Sequence, residues 1–228
     1  QILKHITKHC SIAKLYGPLA DCFVSTFAKC GAIREAYDLF CELPLQNVFT
    51  WMVLISAYSE NGRARDALSL FERMQNDGIE PSQSTLVTLL KSCGIISDVV
   101  EGRKLHVLVK EKSIICDAYV VNTLMGMYAK CGSLAKAQEV FDELPIQNVA
   151  SWTALMAGYV QEGLADKAVN CFIKMQKEGH SPDAITFVSV LKACGSAGLL
   201  EIGEDVHAKI SNECLLEKDI VLGTALVD

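Results

Sequence analysis

Ten cysteines and five histidines are the side chains of this chain best suited to covalent, metal or proton chemistry. A thiolate can attack or ligate, and an imidazole can move protons or ligate. Their spacing serves neither purpose. No two cysteines stand as Cys-x-x-Cys, and no set of Cys and His takes up the spacing of a zinc site. There is no glycine-rich phosphate cradle and no nucleophile–base arrangement. The chain is therefore read as non-catalytic, with no metal, no cofactor and no small-molecule substrate. What these residues do have is recurrence. His5, His106 and His207 stand 101 residues apart, as do Cys30 and Cys131, Cys93 and Cys194, and Trp51 and Trp152. Side chains placed once per period are expected to pack: the cysteines as small core residues in a reducing compartment rather than a disulfide framework, the histidines in packing or inter-helix hydrogen bonds, the tryptophans in the core.

The period is visible in whole stretches. Residues 128–152, YAKCGSLAKAQEVFDELPIQNVASW, are a near copy of 27–51, FAKCGAIREAYDLFCELPLQNVFTW. A fixed period decides architecture before any single residue does. The units it defines are 17–47, 48–82, 83–117, 118–148, 149–183 and 184–219, with partial units at 1–16 and 220–228, and the lengths run 31, 35, 35 and then 31, 35, 36.

Each unit reads as two helices. In 149–183, Trp152, Leu155, Met156 and Tyr159 fall at i, i+3, i+4 and i+7, with Ser151 placed to cap the helix. Gly163 interrupts; Ala168, Phe172 and Met175 form a second stripe, stopped by Gly179 with Pro182 beyond. In the short unit Ala137, Val140, Phe141 and Leu144 make the second stripe, and the four missing residues are expected to come out of the loop after it. One such hairpin cannot bury its apolar face alone, but a stack can. The expected fold is all-α, a right-handed α-solenoid of stacked helix-turn-helix repeats whose first helices line a concave face.

Half of the residues are apolar, which suffices for a substantial core, and the net charge is −6. That balance argues weakly against a nonspecific nucleic-acid binder and against an anionic-membrane surface protein. No apolar run is long enough to span a membrane. Beginning at Gln1 and ending inside a unit, the chain is expected to be a fragment, so its lack of a targeting segment is uninformative. Glu139, Asp142, Glu143, Glu201, Glu204 and Asp205 fall on second helices, while Lys29, Lys91, Lys130 and Lys192 fall on first helices.

With the units defined, the chain resembles the pentatricopeptide repeat proteins of land plants, in the class that alternates P, L and S motifs. YAKCGSLAKAQEVFDELPIQNVASW carries an S motif running into P, FVSVLKACGSAGLLEIGEDVHAKI the L motif, and ALSLFERMQNDGIEPS the end of a P motif. Tetratricopeptide repeats share the hairpin but repeat uniformly at about 34 residues. The resemblance implies one array over 1–228: partial L 1–16, S 17–47, P 48–82, L 83–117, S 118–148, P 149–183, L 184–219 and partial S 220–228. It implies binding to single-stranded RNA in mitochondria or chloroplasts, most often to specify C-to-U editing sites, with editing cofactor proteins as further partners.

In this family each repeat meets one base through its fifth and last residues, the RNA 5′ end lying toward the N-terminus. Carried over, the pairs are Asn122 with Asn148 for cytosine and some uracil, and Thr153 with Asp183 for guanine. Asp21 pairs with Asn47, Asp21 departing from the usual Asn, Ser or Thr. Met52 with Ser82 is tolerant, and Val87 with Asp117 and Val188 with Asp219 are spacers. Thr224 is a purine reader whose partner would lie beyond Asp228. Lys29 and Lys130 are candidates for the phosphate backbone. A deaminase domain, with the His-x-Glu and Cys-x-x-Cys this chain lacks, could lie C-terminal to it. The rival readings are a protein-interaction scaffold, which has no reason to place Asn/Asn and Thr/Asp at those positions, and an organelle RNA stability or processing factor without editing.

Overall fold

Two local signals recur in this sequence: a short polar side chain before the first helix of a unit, and a glycine after most of the helices. The structure, a computed structural model, describes residues 18–43, 45–114 and 117–212. Among them lie twelve helices: α1 Pro18–Lys29, α2 Ile33–Glu42, α3 Val48–Glu60, α4 Ala64–Asn76, α5 Gln83–Ile96, α6 Val99–Glu111, α7 Ala118–Lys130, α8 Leu134–Asp142, α9 Val149–Gln161, α10 Ala165–Lys177, α11 Ala184–Ala197 and α12 Leu200–Asn212. From α2 to α6, each helix start recurs 101 residues on. The fold is an all-α helical-repeat solenoid.

The chain divides into two compact units, Gln1–Ile96 and Ser97–Asp228. In the first, α1 and α2 form a hairpin, α3 and α4 another, and α3 packs on α1, α2 and α5. In the second, α9 packs on α7 and α8 of the hairpin before it and on α10 and α11 after it. Within each unit the odd-numbered first helices therefore stack on one another: α1, α3 and α5, then α7, α9 and α11. The expected stripes are the seam. Trp152, Leu155, Met156 and Tyr159 are buried, as are Ala168, Phe172 and Met175. Consecutive hairpins are joined by edge-on aromatic contacts, Phe40 on Trp51 at 4.6 Å between centroids and Phe141 on Trp152 at 4.5 Å. At the next junction Phe172 meets Phe187 at 6.1 Å. Such pairs add to what burial alone supplies. Gly158 marks a close approach, since a Cβ there would lie 3.0 Å from both Ala129 Cβ and Leu134 Cδ2.

Two expectations are corrected. The cap of α9 is Asn148, whose side chain accepts from Ser151 N, while the Ser151 hydroxyl answers to the Asn148 backbone; Ser151 is the third helical residue of a capping box. The four residues missing from the short unit come out of a helix, not a loop. The connections 143–148 and 178–183 are equally long, whereas α8 has 9 residues and α10 has 13. Pro145 stops the short helix early, because the residue before a proline is disfavoured in helical conformation. Leu144, expected on the stripe, accordingly lies past the end of α8 and is half-buried.

Most helix ends turn through a left-handed glycine, Gly163 (φ 71°) and Gly198 (φ 67°) among them. Ser97 stands where Gly198 stands 101 residues later and takes the same conformation, φ 56°. A side chain there costs about 1 kcal/mol relative to glycine. The Ser97 hydroxyl contributes little in return, reaching the Lys130 carbonyl at 3.4 Å. Ser97→Gly is expected to stabilise the protein by about 1 kcal/mol, read as an upward shift of the urea midpoint with an unchanged slope.

Candidate nucleic-acid interface

A helix start leaves backbone N–H groups without partners, and the side chain that caps them is held in one orientation. Asn47, Asp117, Asn148 and Asp183 cap α3, α7, α9 and α11. The Ser82 hydroxyl plays the same part at α5, accepting from Thr85 N at 3.2 Å. These five are the residues that close the units. Capping therefore fixes which atom each turns outward. An asparagine must give its carbonyl oxygen to the helix and is left with its NH₂, a donor; an aspartate is left with a second oxygen, an acceptor. Asn47 Oδ1 takes Thr50 N at 3.0 Å and Asn148 Oδ1 takes Ser151 N at 2.9 Å. Asp183 Oδ1 takes Thr186 N at 2.8 Å.

The fifth residues lie on the first helices, one turn in. Asn47 Nδ2 donates to both carboxylate oxygens of Asp21, at 3.1 and 3.0 Å, so this pair is joined directly. Thr153 and Asp183 are joined through an intermediary: Thr153 Oγ1 lies 2.7 Å from Thr186 Oγ1, which donates to Asp183 Oδ1 at 2.7 Å. Among the described residues no hydrogen bond links Asn122 to Asn148, although they occupy the places of Asp21 and Asn47. Instead Asn122 Oδ1 is buried without a partner, an acceptor left unmet inside the fold.

Met52 offers only its thioether, which accepts from Ser84 Oγ at 3.2 Å. Val87 is buried and Val188 half-buried. Asp219, Thr224 and His5 lie outside the described residues. Lys29 and Lys130 are exposed in the last turns of α1 and α7, where a cation also complements the helix dipole. Sequence reasoning passes over Thr186 and its counterparts Thr50 and Thr85, and takes Ser151 for a cap; all four are fully buried. The signal for them is a hydroxyl residue three places after Asn47, Ser82, Asn148 and Asp183; after Asp117 that place holds Val120.

The other recurrent residues are structural. Trp51 and Trp152 are fully buried. His106 bonds Tyr128 OH through Nδ1 at 2.9 Å across α6 and α7, and burial pushes its imidazole below the usual histidine range. His207, by contrast, is exposed. Cys93 and Cys194 are buried as expected, whereas Cys30 is exposed on its turn and its counterpart Cys131 is half-buried. Burial pushes the Cys171 thiol up to about 11, away from nucleophilic use. Among the described residues no cluster of His, Cys, Asp or Glu could hold a metal ion, and no helix is long and apolar enough to cross a membrane.

Stacked α-hairpins, with α3, α5, α7, α9 and α11 each capped by the residue that closes the unit before it, define a helix-turn-helix repeat protein. Family models agree: the PPR repeat family matches residues 46–94 and 147–196, and the PPR repeat matches 119–149, together more than half of the chain. The chain belongs to the pentatricopeptide repeat family. A mitochondrial pentatricopeptide repeat-containing protein of Arabidopsis thaliana is 36% identical over 206 residues, which is 90% of this chain and 33% of the relative. A chloroplastic one from the same plant is 34% identical over 201 residues, 88% of this chain and 32% of the relative. The chain thus spans about a third of the length of these relatives. Among solved structures, the maize pentatricopeptide repeat protein PPR10 superposes with a TM-score of 0.66 at 22% identity, over 85% of this chain and 29% of that one. PPR10 in complex with an 18-nt psaJ RNA element superposes at 0.69 and 20% identity, over 88% and 30%.

Proposed function

We propose that this chain is the base-reading segment of an organelle RNA-binding protein, taking single-stranded RNA one base per repeat and specifying sites for C-to-U editing. In this reading the repeats run S, P, L over the boundaries given above, and any deaminase activity belongs to a domain outside this chain. The observation that carries the proposal is the joining of fifth residues to closing residues, directly in Asp21–Asn47 and through Thr186 in Thr153–Asp183. Further support comes from PPR10, solved with bound RNA, and from relatives named as mitochondrial or chloroplastic. The physics is that of single-strand recognition, in which unstacked bases are read by hydrogen bonds along their Watson–Crick edges.

At the second S repeat the outward Asn148 NH₂ is a donor matched to cytosine N3. At the next repeat, a P repeat, Thr153 and Asp183 present acceptors matched to the N–H groups of guanine. The expected preference is pyrimidine, foremost C, and then G. RNAs carrying C-G, U-A or A-C at these two positions, compared by direct binding at moderate salt, are expected to rank with C-G first. Equal binding of all three would remove base reading from this chain. With a net charge of −6, the segment is expected to bind modestly and to depend on salt through few phosphate contacts.

A further inference from the structure

A first helix packed by neighbours on several sides keeps only a narrow stripe in solvent. Helix α11 packs on α9, α10 and α12, and its Phe187, Val190, Leu191 and Cys194 are buried. What remains is a stripe of Ile185 and Lys192, both exposed, with Val188 half-buried between them. At about 100° per residue, Lys192 stands about 40° round the helix from Val188 and about 6 Å along it, one turn further on the same face. Val188 is the fifth residue of its unit, so Lys192 shares the face whose counterpart in α9 carries Thr153. The compact unit Gln1–Ile96 holds the same arrangement. In α5 the fifth residue, Val87, is buried, while Ser84 before it and Lys91 after it are exposed. The other first helices hold Ser25, Ser56, Gly126 and Ala157 in the place of these lysines, side chains too short to reach far from the helix. Lysine stands one turn after the fifth residue only where that residue is valine.

We propose that Lys91 and Lys192 grip the phosphate backbone of the RNA, so that the units unable to read a base hold the strand instead. The proposal rests on the RNA-binding reading above. Valine offers a base edge neither donor nor acceptor. An ammonium on a flexible four-carbon stem carries three donors and meets a phosphate whatever base is attached. Neutralising that phosphate releases condensed counterions, an affinity indifferent to sequence. In a chain of net charge −6 this affinity depends on where the cations sit, not on the total. A backbone grip also fixes the register of the strand against the neighbouring reading positions.

The test measures binding of the 228-residue chain to single-stranded RNAs carrying C-G or U-A at the two reading positions, as a function of salt. Lys192→Gln is expected to weaken both RNAs equally, by about fourfold near about 0.15 M salt, and to lower the slope of log K against log salt by about 0.7. Lys91→Gln should do the same, and the double variant should lower the slope by about 1.4. Lys192→Arg should keep the wild-type slope. Lys177→Gln makes the same charge change at an exposed place on the second helix α10, and should alter neither quantity. Wild-type affinity and slope in Lys192→Gln overturn the proposal. So does an equal loss in Lys177→Gln, which assigns the effect to the general field of the protein. A change in the C-G over U-A ratio overturns it too, because a backbone contact carries no sequence. A wild-type chain that binds RNA without preferring C-G overturns base reading while the slopes still decide the grip, and one that binds no RNA overturns both.

Discussion

Asn148→Asp is expected to turn a preference for cytosine into one for uracil while leaving helix α9 as stable as before. The cap requires one side-chain oxygen for Ser151 N, and aspartate supplies it as well as asparagine does. Only the outward atom changes, from an NH₂ to an oxygen. Cytosine N3 is an acceptor and loses its partner, whereas uracil N3–H is a donor and gains one. The discrimination carried by such a contact is about 1–3 kcal/mol, so the C:U binding ratio should move by about five- to 150-fold. Urea unfolding should meanwhile shift by less than about 0.5 kcal/mol. Asn148→Ala separates the two roles: it should lose the base preference and also about 1 kcal/mol of stability, since no side chain then caps α9. A C:U ratio untouched by the Asp variant would exclude Asn148 from base recognition and leave it a cap only.

The largest loss of stability is expected at the aromatic junction between hairpins. Trp152 is 1% exposed and packs edge-on against Phe141, with Lys174 Nζ 5.5 Å from its ring centroid. Trp152→Ala should cost about 3–5 kcal/mol. Because each hairpin is held mainly by its neighbours, the loss should loosen the α8–α9 junction and the helices stacked on it. The indole Nε1 is buried without a hydrogen-bond partner, and so is that of Trp51. Trp152→Phe therefore discards an unmet donor along with some volume, and is expected to cost only about 1–2 kcal/mol. Both values are read from urea unfolding of the chain. If Phe were as costly as Ala, ring packing would not be what holds this junction.

Much of the fold is legible in the sequence because the period is long and the apolar stripes are regular. The stripe from Trp152 to Tyr159 and the one from Ala168 to Met175 are both buried. What periodicity does not supply is the placement of ends. Ser151 and Asn148 both suit a cap by type, and only the backbone geometry makes Asn148 the cap and Ser151 its reciprocal partner. The shortened second helix reads as a shortened loop because spacing between two aligned residues does not say which part of the chain between them is helical. At the candidate interface, the resemblance supplies Asn122, Asn148, Thr153 and Asp183 but not Thr186. Thr186 is invisible to a two-residue scheme because it touches both members from inside the core. The donor or acceptor character of an asparagine or aspartate that closes a unit follows from its type only once the structure shows that it caps the next helix.

The shortened helix α8 also bears on how such an array can change its length. An α-helix advances about 100° per residue, so removing four residues displaces the chain beyond them by about 40° in phase and by one turn in length. The six-residue connection after it is as long as the one after α10, and Trp152 meets Phe141 across it as Phe187 meets Phe172 after the full-length helix. Removing two would rotate the next segment by about 200° and turn its apolar face to solvent. The difference between α8 and α10 is thus one helical turn, the step that keeps the next helix in phase. Repeats of unequal size can then sit in one stack without any of them losing step with its neighbours.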